Sequence, residues 1–278
     1  MQKKVVITGY GWMAGYLGNA LLSSDNPINA TIVGTTRSDE KRKSLGEKQI
    51  TAVKFALGDD AAELCKHMSG ATFIINIPPG RRNTQLDGFT QQVIALIDDA
   101  VASQVAHIIF ISTTSVYGDS TNETLTESSS TAPETASAKA HVAIEKHLAS
   151  VSSQVDYTVL RLAGLVGPDR HPARSLSGRE LPAGNKRINL VHISDVVNAL
   201  VSVIRTPLQN KTLHLCSELH PKRGEYYARA ASALNLPLPI FSDTESEAKG
   251  KVVDATASWK ALKITPRFSN PDNMYSGK

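Results

Sequence analysis

Short runs of β-branched and apolar residues alternate with segments of helical spacing, and this alternation restricts the fold more than any other feature of the sequence. The runs are KVVIT at 4–8, TIV at 31–33, AVKF at 52–55, TFIINI at 72–77, HIIFIS at 107–112 and YTVLR at 157–161. They are apolar on both faces, which is typical of strands buried between two layers of helices. The clearest intervening helix is predicted over roughly 84–103. The pattern therefore predicts an α/β chain with a doubly wound parallel sheet.

A glycine-rich turn directly follows the first of these strands. Its sequence fits the pattern G-x-G-x-x-A, with Gly9, Gly11 and Ala14 in the three defining positions. The first glycine permits a tight turn, the second lets the backbone approach a pyrophosphate, and the alanine keeps the next helix close to the strand. The amides of Trp12 and Met13 at the helix start would face the phosphates. We therefore predict dinucleotide binding at these five residues, with a purely structural turn as the alternative.

The end of the second strand indicates which dinucleotide is bound. Folds that prefer NAD usually carry Asp or Glu there, because a carboxylate accepts hydrogen bonds from the ribose 2′-OH. Residues 34–38 read GTTRS and contain no carboxylate. Arg37, next to Thr36, can pair with the 2′-phosphate of NADP. NADP is thus the expected cofactor and NAD the alternative; in the competing interpretation Arg37 is a solvated surface residue.

Three further segments resemble motifs of the extended short-chain dehydrogenases/reductases. The segment STTSVYG at 112–118 looks like S-[ST]-x-x-V-Y-G, LRLAGLVGP at 160–168 looks like L-R-x-x-x-x-x-G-P, and NLVHISDV at 189–196 looks like N-x-V-H-x-x-D-V. The chain is similar over nearly its full length to atypical members of the NAD-dependent epimerase/dehydratase-like type. The resemblance implies a Rossmann fold and oxidoreductase or epimerase chemistry on a small polar substrate, such as a sugar or nucleotide sugar.

The resemblance also implies catalytic residues. In catalytic members a Ser or Thr polarises the substrate oxygen, a Tyr transfers the proton, and a Lys four residues later lowers its pKa and holds the nicotinamide ribose. Thr113 matches the first of these residues and Lys139 the last. Thr135 stands where the tyrosine is expected, and a threonine hydroxyl is a poor acid at neutral pH. The proton donor is therefore left open between water, Tyr117 and a group of the substrate.

Two more regions are candidates for ligand contact. By the same resemblance, Ile77, Pro78 and Pro79 after the fourth strand are expected to shape the groove beside the adenosine, with a rigid turn as the alternative. A second region is rich in bases and falls where extended members hold their substrate. Its members are Arg170, Arg174, Arg179, Lys186 and Arg187. A phosphate or carboxylate ligand is one interpretation of this region, and scattered surface charge is the other.

The domain organisation follows from where the alternation stops. Residues 1–167 are predicted to form the Rossmann domain, with its sheet completed by about 188–215. The separated segments 168–187 and 216–278 are predicted to form a smaller C-terminal substrate-binding lobe. A length of 278 residues is sufficient for this arrangement.

Composition excludes several other classes of protein. A net charge of +4 and an aromatic content of 5% argue against a nucleic-acid-binding surface. The two cysteines, Cys65 and Cys216, lie far apart without His or Cys neighbours at metal spacing, so neither a metal site nor a disulfide is expected. No apolar stretch is long enough for a membrane span, and no signal peptide is recognised. We expect a cytoplasmic monomer or homodimer.

Two functions stay open at this point. The first is an NADP-dependent oxidoreductase or epimerase-like enzyme acting on a small polar substrate, which the basic region allows to be anionic. The second is a non-catalytic NADP-binding redox sensor or regulator, which Thr135 in place of the tyrosine supports.

Overall fold

The computed structural model describes residues 2–24, 28–80, 86–244 and 247–275. Within these ranges the strands are β1 (Lys3–Thr8), β2 (Ala30–Thr36), β3 (Thr51–Lys54), β4 (Thr72–Ile75), β5 (His107–Thr113), β6 (Thr124–Leu125), β7 (Tyr157–Leu162), β8 (Gly164–Val166), β9 (Glu180–Leu181), β10 (Leu190–His192), β11 (Lys211–Leu215), β12 (Ile240–Phe241) and β13 (Val252–Val253). The α-helices are α1 (Trp12–Leu22), α2 (Asp39–Glu47), α3 (Ala62–Cys65), α4 (Leu86–Ala102), α5 (Ala136–Ser150), α6 (Ala173–Leu176), α7 (Ile193–Arg205), α8 (Arg223–Ala233) and α9 (Thr256–Leu262). None of the helices in the described ranges is both long and apolar enough to cross a bilayer.

Seven parallel strands form the central sheet, in the order β11-β7-β5-β4-β1-β2-β3. The prediction of a doubly wound Rossmann sheet is confirmed. The chain builds outward from β1 to β3 and then returns to place β4 on the other side of β1. This reversal creates a crevice at the carboxyl ends of β1 and β4, which is where open α/β sheets bind ligands.

Helices cover both faces of the sheet because its central strands are apolar on both. Val5 and Ile7 of β1 are buried in the cluster that contains the apolar residues of α1 and α7. Val6 lies between them in sequence and belongs to the opposite cluster, which contains those of α4 and α5. This alternation is the two-residue period of a strand. Each such fully buried side chain stabilises the fold by about 1.5–3 kcal/mol.

The segment 188–193 does not return to the central sheet, so that sequence-based expectation was wrong. Only the later part of 188–215 joins the sheet, as β11 at its edge beside β7. β10 pairs instead with β8 in a separate two-stranded ladder. The cause is a divergence after β7: the amide of Ala163 still bonds to Leu215 O, but the amide of Gly164 bonds to Asn189 O. β8 therefore turns away from the sheet and brings β10 with it.

A third apolar cluster lies outside the two faces of the sheet. Tyr226, Tyr227 and Ala230 of α8 pack there with Ala173 and Phe268, among others. The cluster joins residues of both segments assigned to the C-terminal lobe, and also takes Val166, Ile188 and Leu190 from outside them. The division of the chain into these two domains stays a prediction.

Candidate functional site

The turn after β1 has a geometry that only glycine tolerates at its first position. Gly9 has φ +72°, and a Cβ there would lie 2.5 Å from Asn76 O. The side-chain amide of Asn76 donates to Gly9 O at 3.0 Å. On the other side, the Gly9 amide donates to Thr35 Oγ1 at 3.0 Å. The turn is thus held from the ends of both neighbouring strands, β4 and β2.

The N-terminus of α1 is open above this turn. Gly11 precedes the helix, and the first turn receives no side-chain cap from any described residue. Among the described residues, a Cβ on Gly11 would meet only Gly9 O, at 3.7 Å, so none of them fills this space. Met13 and Ala14 bury their side chains in the core and leave only their backbone toward the turn. Amides at a helix start lack intrahelical partners and suit phosphate, so these residues fit a dinucleotide diphosphate.

The indole of Trp12 contacts the segment that follows β8. Its Nε1 donates to Asp169 at 3.0 Å, and the Tyr16 hydroxyl donates to the same carboxylate at 3.1 Å. The bond from Trp12 is the main reason that the pKa of Asp169 is lowered. The Arg170 guanidinium lies over the indole, 5.2 Å from the ring centre. The indole is thus held against this segment, and the Trp12 amide receives no side-chain cap from a described residue.

The end of β2 carries an exposed arginine and a paired acid. Thr36 is buried, and its Oγ1 accepts a hydrogen bond from the Ser38 amide at 3.2 Å. Arg37 is exposed, and its guanidinium has no hydrogen-bond or ion-pair partner in the part of the chain that is described. The first carboxylate after it, Asp39, is bonded to Lys54 Nζ at 2.9 Å. The local charge available to a ligand is therefore positive.

The residues after β4 lie beside the glycine turn. A Cβ on Gly9 would come within 3.2 Å of the Ile77 Cγ1 atom. Ile77 and Pro79 are half-buried and Pro78 is exposed. Their contact with an adenosine stays a prediction.

A cavity of about 260 Å³ opens beside the end of β5. Two of its walls are the stretches 113–115 and 162–164. The remaining lining residues are Asp119, Lys186, Arg187, Asn189 and Lys251. Thr113 Oγ1 accepts a hydrogen bond from the Ser115 amide at 3.1 Å and lies 3.0 Å from Ser115 Oγ. The structure thus places Thr113 on the wall of this cavity.

The charged end of the cavity is built around Asp119. This carboxylate pairs with Lys186 and lies 3.5 Å from Lys251 Nζ. Burial alone would raise the pKa of Asp119, but the hydrogen bonds and positive charges of Lys186 and Lys251 together outweigh it, and the pKa is lowered. Lys251 is buried and also donates to the carbonyl oxygens of Thr114 and Gly118. Burial lowers the pKa of this lysine.

The five bases singled out in the sequence separate in space. Lys186 and Arg187 line the cavity, and Arg170 lies over Trp12. Arg174 and Arg179 are exposed and line no part of this cavity. Asp119 and Lys251 were missed by sequence reasoning. No local motif indicates them, because Lys251 reaches the site through the pairing of β13 with β6, which joins distant segments.

The two candidate residues at the start of α5 are Thr135 and Lys139, and neither lines the cavity beside β5. Thr135 is the N-cap, and its Oγ1 accepts a hydrogen bond from the Ala138 amide at 3.1 Å. Lys139 lies one turn further and is exposed. The threonine that replaces the expected tyrosine therefore caps the helix, and the lysine is accessible to a ligand.

Tyr117 does not face the cavity. It is buried, and its hydroxyl accepts a hydrogen bond from Arg161 Nη1 at 2.6 Å and lies 2.6 Å from His214 Nε2. The same arginine is paired with Glu145, which is also buried. Because the hydroxyl is committed to this interior network, the geometry argues against Tyr117 as a proton donor to a ligand in the cavity.

Comparison with known proteins shows the family. Residues 9–207 match the family model described as NAD(P)H-binding. The chain is 31% identical to the protein YeeZ of Escherichia coli strain K12 over 270 residues, covering 97% of each chain.

Solved structures share the whole fold. The UDP-glucuronic acid 4-epimerase of Bacillus cereus in complex with NAD superposes with a TM-score of 0.80 at 14% identity, covering 99% of this chain and 97% of the epimerase. A short-chain dehydrogenase/reductase superfamily protein of Agrobacterium tumefaciens with bound NAD gives 0.79 at 13% identity, covering 99% and 96%.

Proposed function

This chain belongs to the NAD(P)H-binding family, and from that premise we propose that it is an NADP-dependent oxidoreductase or epimerase-like enzyme acting on a small polar substrate held beside Thr113. Its resemblance to atypical short-chain dehydrogenases/reductases is confirmed, and it binds a nicotinamide dinucleotide. One observation carries the proposal: the open turn at Gly11 and the cavity at Thr113 follow β1 and β5, at the carboxyl edge of one parallel sheet.

Different residues of the chain would bind different parts of the cofactor. The amides at the start of α1 would bind the diphosphate, and Arg37 the 2′-phosphate. Lys139, exposed on α5, would bind the nicotinamide ribose. When bound, the dinucleotide supplies a hydride donor or acceptor. The preference for NADP over NAD rests on Arg37 and on the pairing of Asp39 with Lys54.

Thr113 would orient the substrate by hydrogen bonding to its reacting oxygen. Its hydroxyl is already positioned by the Ser115 amide, so its orientation does not depend on the substrate. Thr135 acts as a helix cap and Tyr117 is bonded within the interior. The proton would therefore come from water or from a group of the substrate.

Calorimetry with NADPH and NADH tests the cofactor half of the proposal. We expect heat and thermal stabilisation with both, and tighter binding of NADPH. The absence of heat and of stabilisation with either dinucleotide would refute the proposal. Equal or tighter binding of NADH would refute only the role of Arg37.

A second function, a non-catalytic NADP-binding sensor, is favoured by the capping role of Thr135. Turnover of a panel of small aldehydes, ketones, hydroxy acids and sugars separates the two, with nicotinamide absorbance reporting net oxidation or reduction and product analysis reporting epimerisation. An enzyme would turn over at least one compound, and Thr113→Ala would abolish that turnover while cofactor binding persisted. A sensor would show no turnover that depends on Thr113.

A further inference from the structure

We propose that the cavity beside Thr113 binds a carboxylate group of the substrate, with Arg187 as its principal ligand. This inference rests on the proposed function, because it names the substrate class of the same site. It assigns the substrate as a small acid, or a larger molecule whose acidic end enters the cavity.

The charge of the cavity lining favours an anion. Lys186, Arg187 and Lys251 place three cationic groups on the described lining, and Asp119 is the single carboxylate there. Positive charge is therefore in excess at a site partly removed from water. Electrostatic attraction to an anion is stronger in such a site than on an open surface.

The cationic side chains that line the cavity differ in how far they are already paired. Asp119 pairs with Lys186 and approaches Lys251, and two backbone carbonyls complete the surroundings of Lys251. Arg187 differs from both lysines. Its Nη1 donates to Ala248 O at 3.0 Å, and no other hydrogen bond from its guanidinium is made to a described residue. The remaining N–H groups have no partner among the described residues and would be available to a ligand.

The geometry of Arg187 suits a carboxylate. Its backbone is fixed, because the Arg187 amide donates to Lys249 O at 2.6 Å. A guanidinium offers parallel N–H groups that match the two oxygens of a carboxylate. The side chain is also half-buried, which limits competition from water.

The size of the cavity suits a small acid. A volume of about 260 Å³ is below the 300–1,000 Å³ common for drug-sized ligands. Thr113 and Ser115 line this cavity together with Arg187, so an acid held by the arginine lies in the same enclosure as the hydroxyl proposed to orient the reacting oxygen.

The test is calorimetric titration of the full chain with malonate and with malonamide, its uncharged counterpart. Each titration is done with and without saturating NADP⁺. We expect malonate to bind and malonamide not to bind. Arg187→Gln should weaken malonate binding roughly 10- to 100-fold, as loss of charge-assisted hydrogen bonds does. Arg174→Gln removes the same charge from an exposed position and should change the affinity less than about twofold.

A second substitution in the same cavity should strengthen the binding of malonate instead of weakening it. Asp119→Asn removes the internal carboxylate that competes for the cations, so malonate should bind several-fold more tightly. Circular dichroism and thermal unfolding establish that each variant is folded. If Arg187→Gln does not fold, the result for Asp119→Asn decides, because that change alters the charge of the same cavity at an exposed group.

The inference is overturned if malonate does not bind, if malonamide binds equally well, or if Arg187→Gln behaves like Arg174→Gln. Inorganic phosphate is titrated in parallel, and binding of phosphate without malonate overturns the carboxylate assignment. Failure of malonate while NADP⁺ binds would leave the proposed function standing. Failure of both dinucleotides would refute the proposed function separately, whatever malonate does.

Discussion

The side-chain amide of Asn76 donates a hydrogen bond to the carbonyl oxygen of Gly9 at 3.0 Å. This bond joins the residues that follow β4 and β1, the two strands at which the chain reverses its direction across the sheet. It holds Gly9 in a left-handed conformation, with φ +72°. No described residue fills the space above Gly11, the next glycine of the same turn.

Gly11→Ala should weaken NADPH binding at least about 10-fold, because a methyl group would occupy the space that a diphosphate needs. The fold should tolerate the change: φ at Gly11 is −93°, and an added Cβ meets only Gly9 O at 3.7 Å. The expected loss of stability is about 1 kcal/mol or less. Calorimetry and thermal unfolding give the two quantities.

Gly15→Ala is the matched control for this substitution. No described atom lies within 4 Å of a Cβ at Gly15, which is inside α1. Stability should rise by up to about 1 kcal/mol, with NADPH binding retained. Equal binding by both variants would contradict the placement of the diphosphate at Gly11.

Arg37→Gln should weaken NADPH binding roughly 10- to 100-fold, because it removes charge-assisted hydrogen bonds to a phosphate. Binding of NADH, which lacks the 2′-phosphate, should be unchanged. Lys43→Gln, an exposed cation of α2, serves as the control and should alter either affinity less than about twofold. A parallel loss of NADH and NADPH in Arg37→Gln would argue against recognition of the 2′-phosphate.

Tyr117→Phe should lower the free energy of unfolding by about 1–3 kcal/mol, because Arg161 and His214 would each lose a buried hydrogen-bond partner. Affinity for NADPH should be retained. Denaturant unfolding measures the first effect, and calorimetry the second. Tyr157→Phe removes a hydroxyl that makes no hydrogen bond within the described ranges, and should leave stability within about 0.5 kcal/mol. A stable Tyr117→Phe protein would contradict the structural role.

Stability should fall between pH 7 and pH 5. Burial lowers the pKa of His107, His171 and His192 to about 4, from 6.5. Within this window the unfolded chain binds protons that the folded chain excludes, so stability increases with pH. Each of these histidines should cost roughly 2 kcal/mol at pH 5 relative to pH 7 and above.

Denaturant unfolding at the two pH values measures this dependence. His171→Gln should reduce the difference between them, because it removes one of the three groups. Unfolding free energies that do not change from pH 7 to pH 5 would show that these histidines are not buried in the neutral form.

Much of the candidate cofactor site could be predicted from the sequence because its parts are local. Gly9, Gly11 and Ala14 act through backbone conformation and the absence of side-chain bulk, and these properties depend on residue type and spacing. Thr113 was recognisable for a related reason, since it stands in a short motif directly after an apolar strand. The period of the apolar residues likewise determined the doubly wound sheet.

Tertiary structure alone decided which residues line the cavity beside Thr113. Lys251 comes from the pairing of β13 with β6, and nothing in its neighbouring sequence indicates that partner. The separation of β10 from the central sheet was equally hidden, because a short apolar run does not specify which strand it pairs with. Tyr117 shows the same limit in a single residue: its motif fixes its position after β5, but the direction of its hydroxyl depends on Arg161 and His214. Backbone conformation and the apolar period depend on residues that are adjacent in sequence. Charge pairing and hydroxyl direction depend on groups that meet only when distant segments pack together.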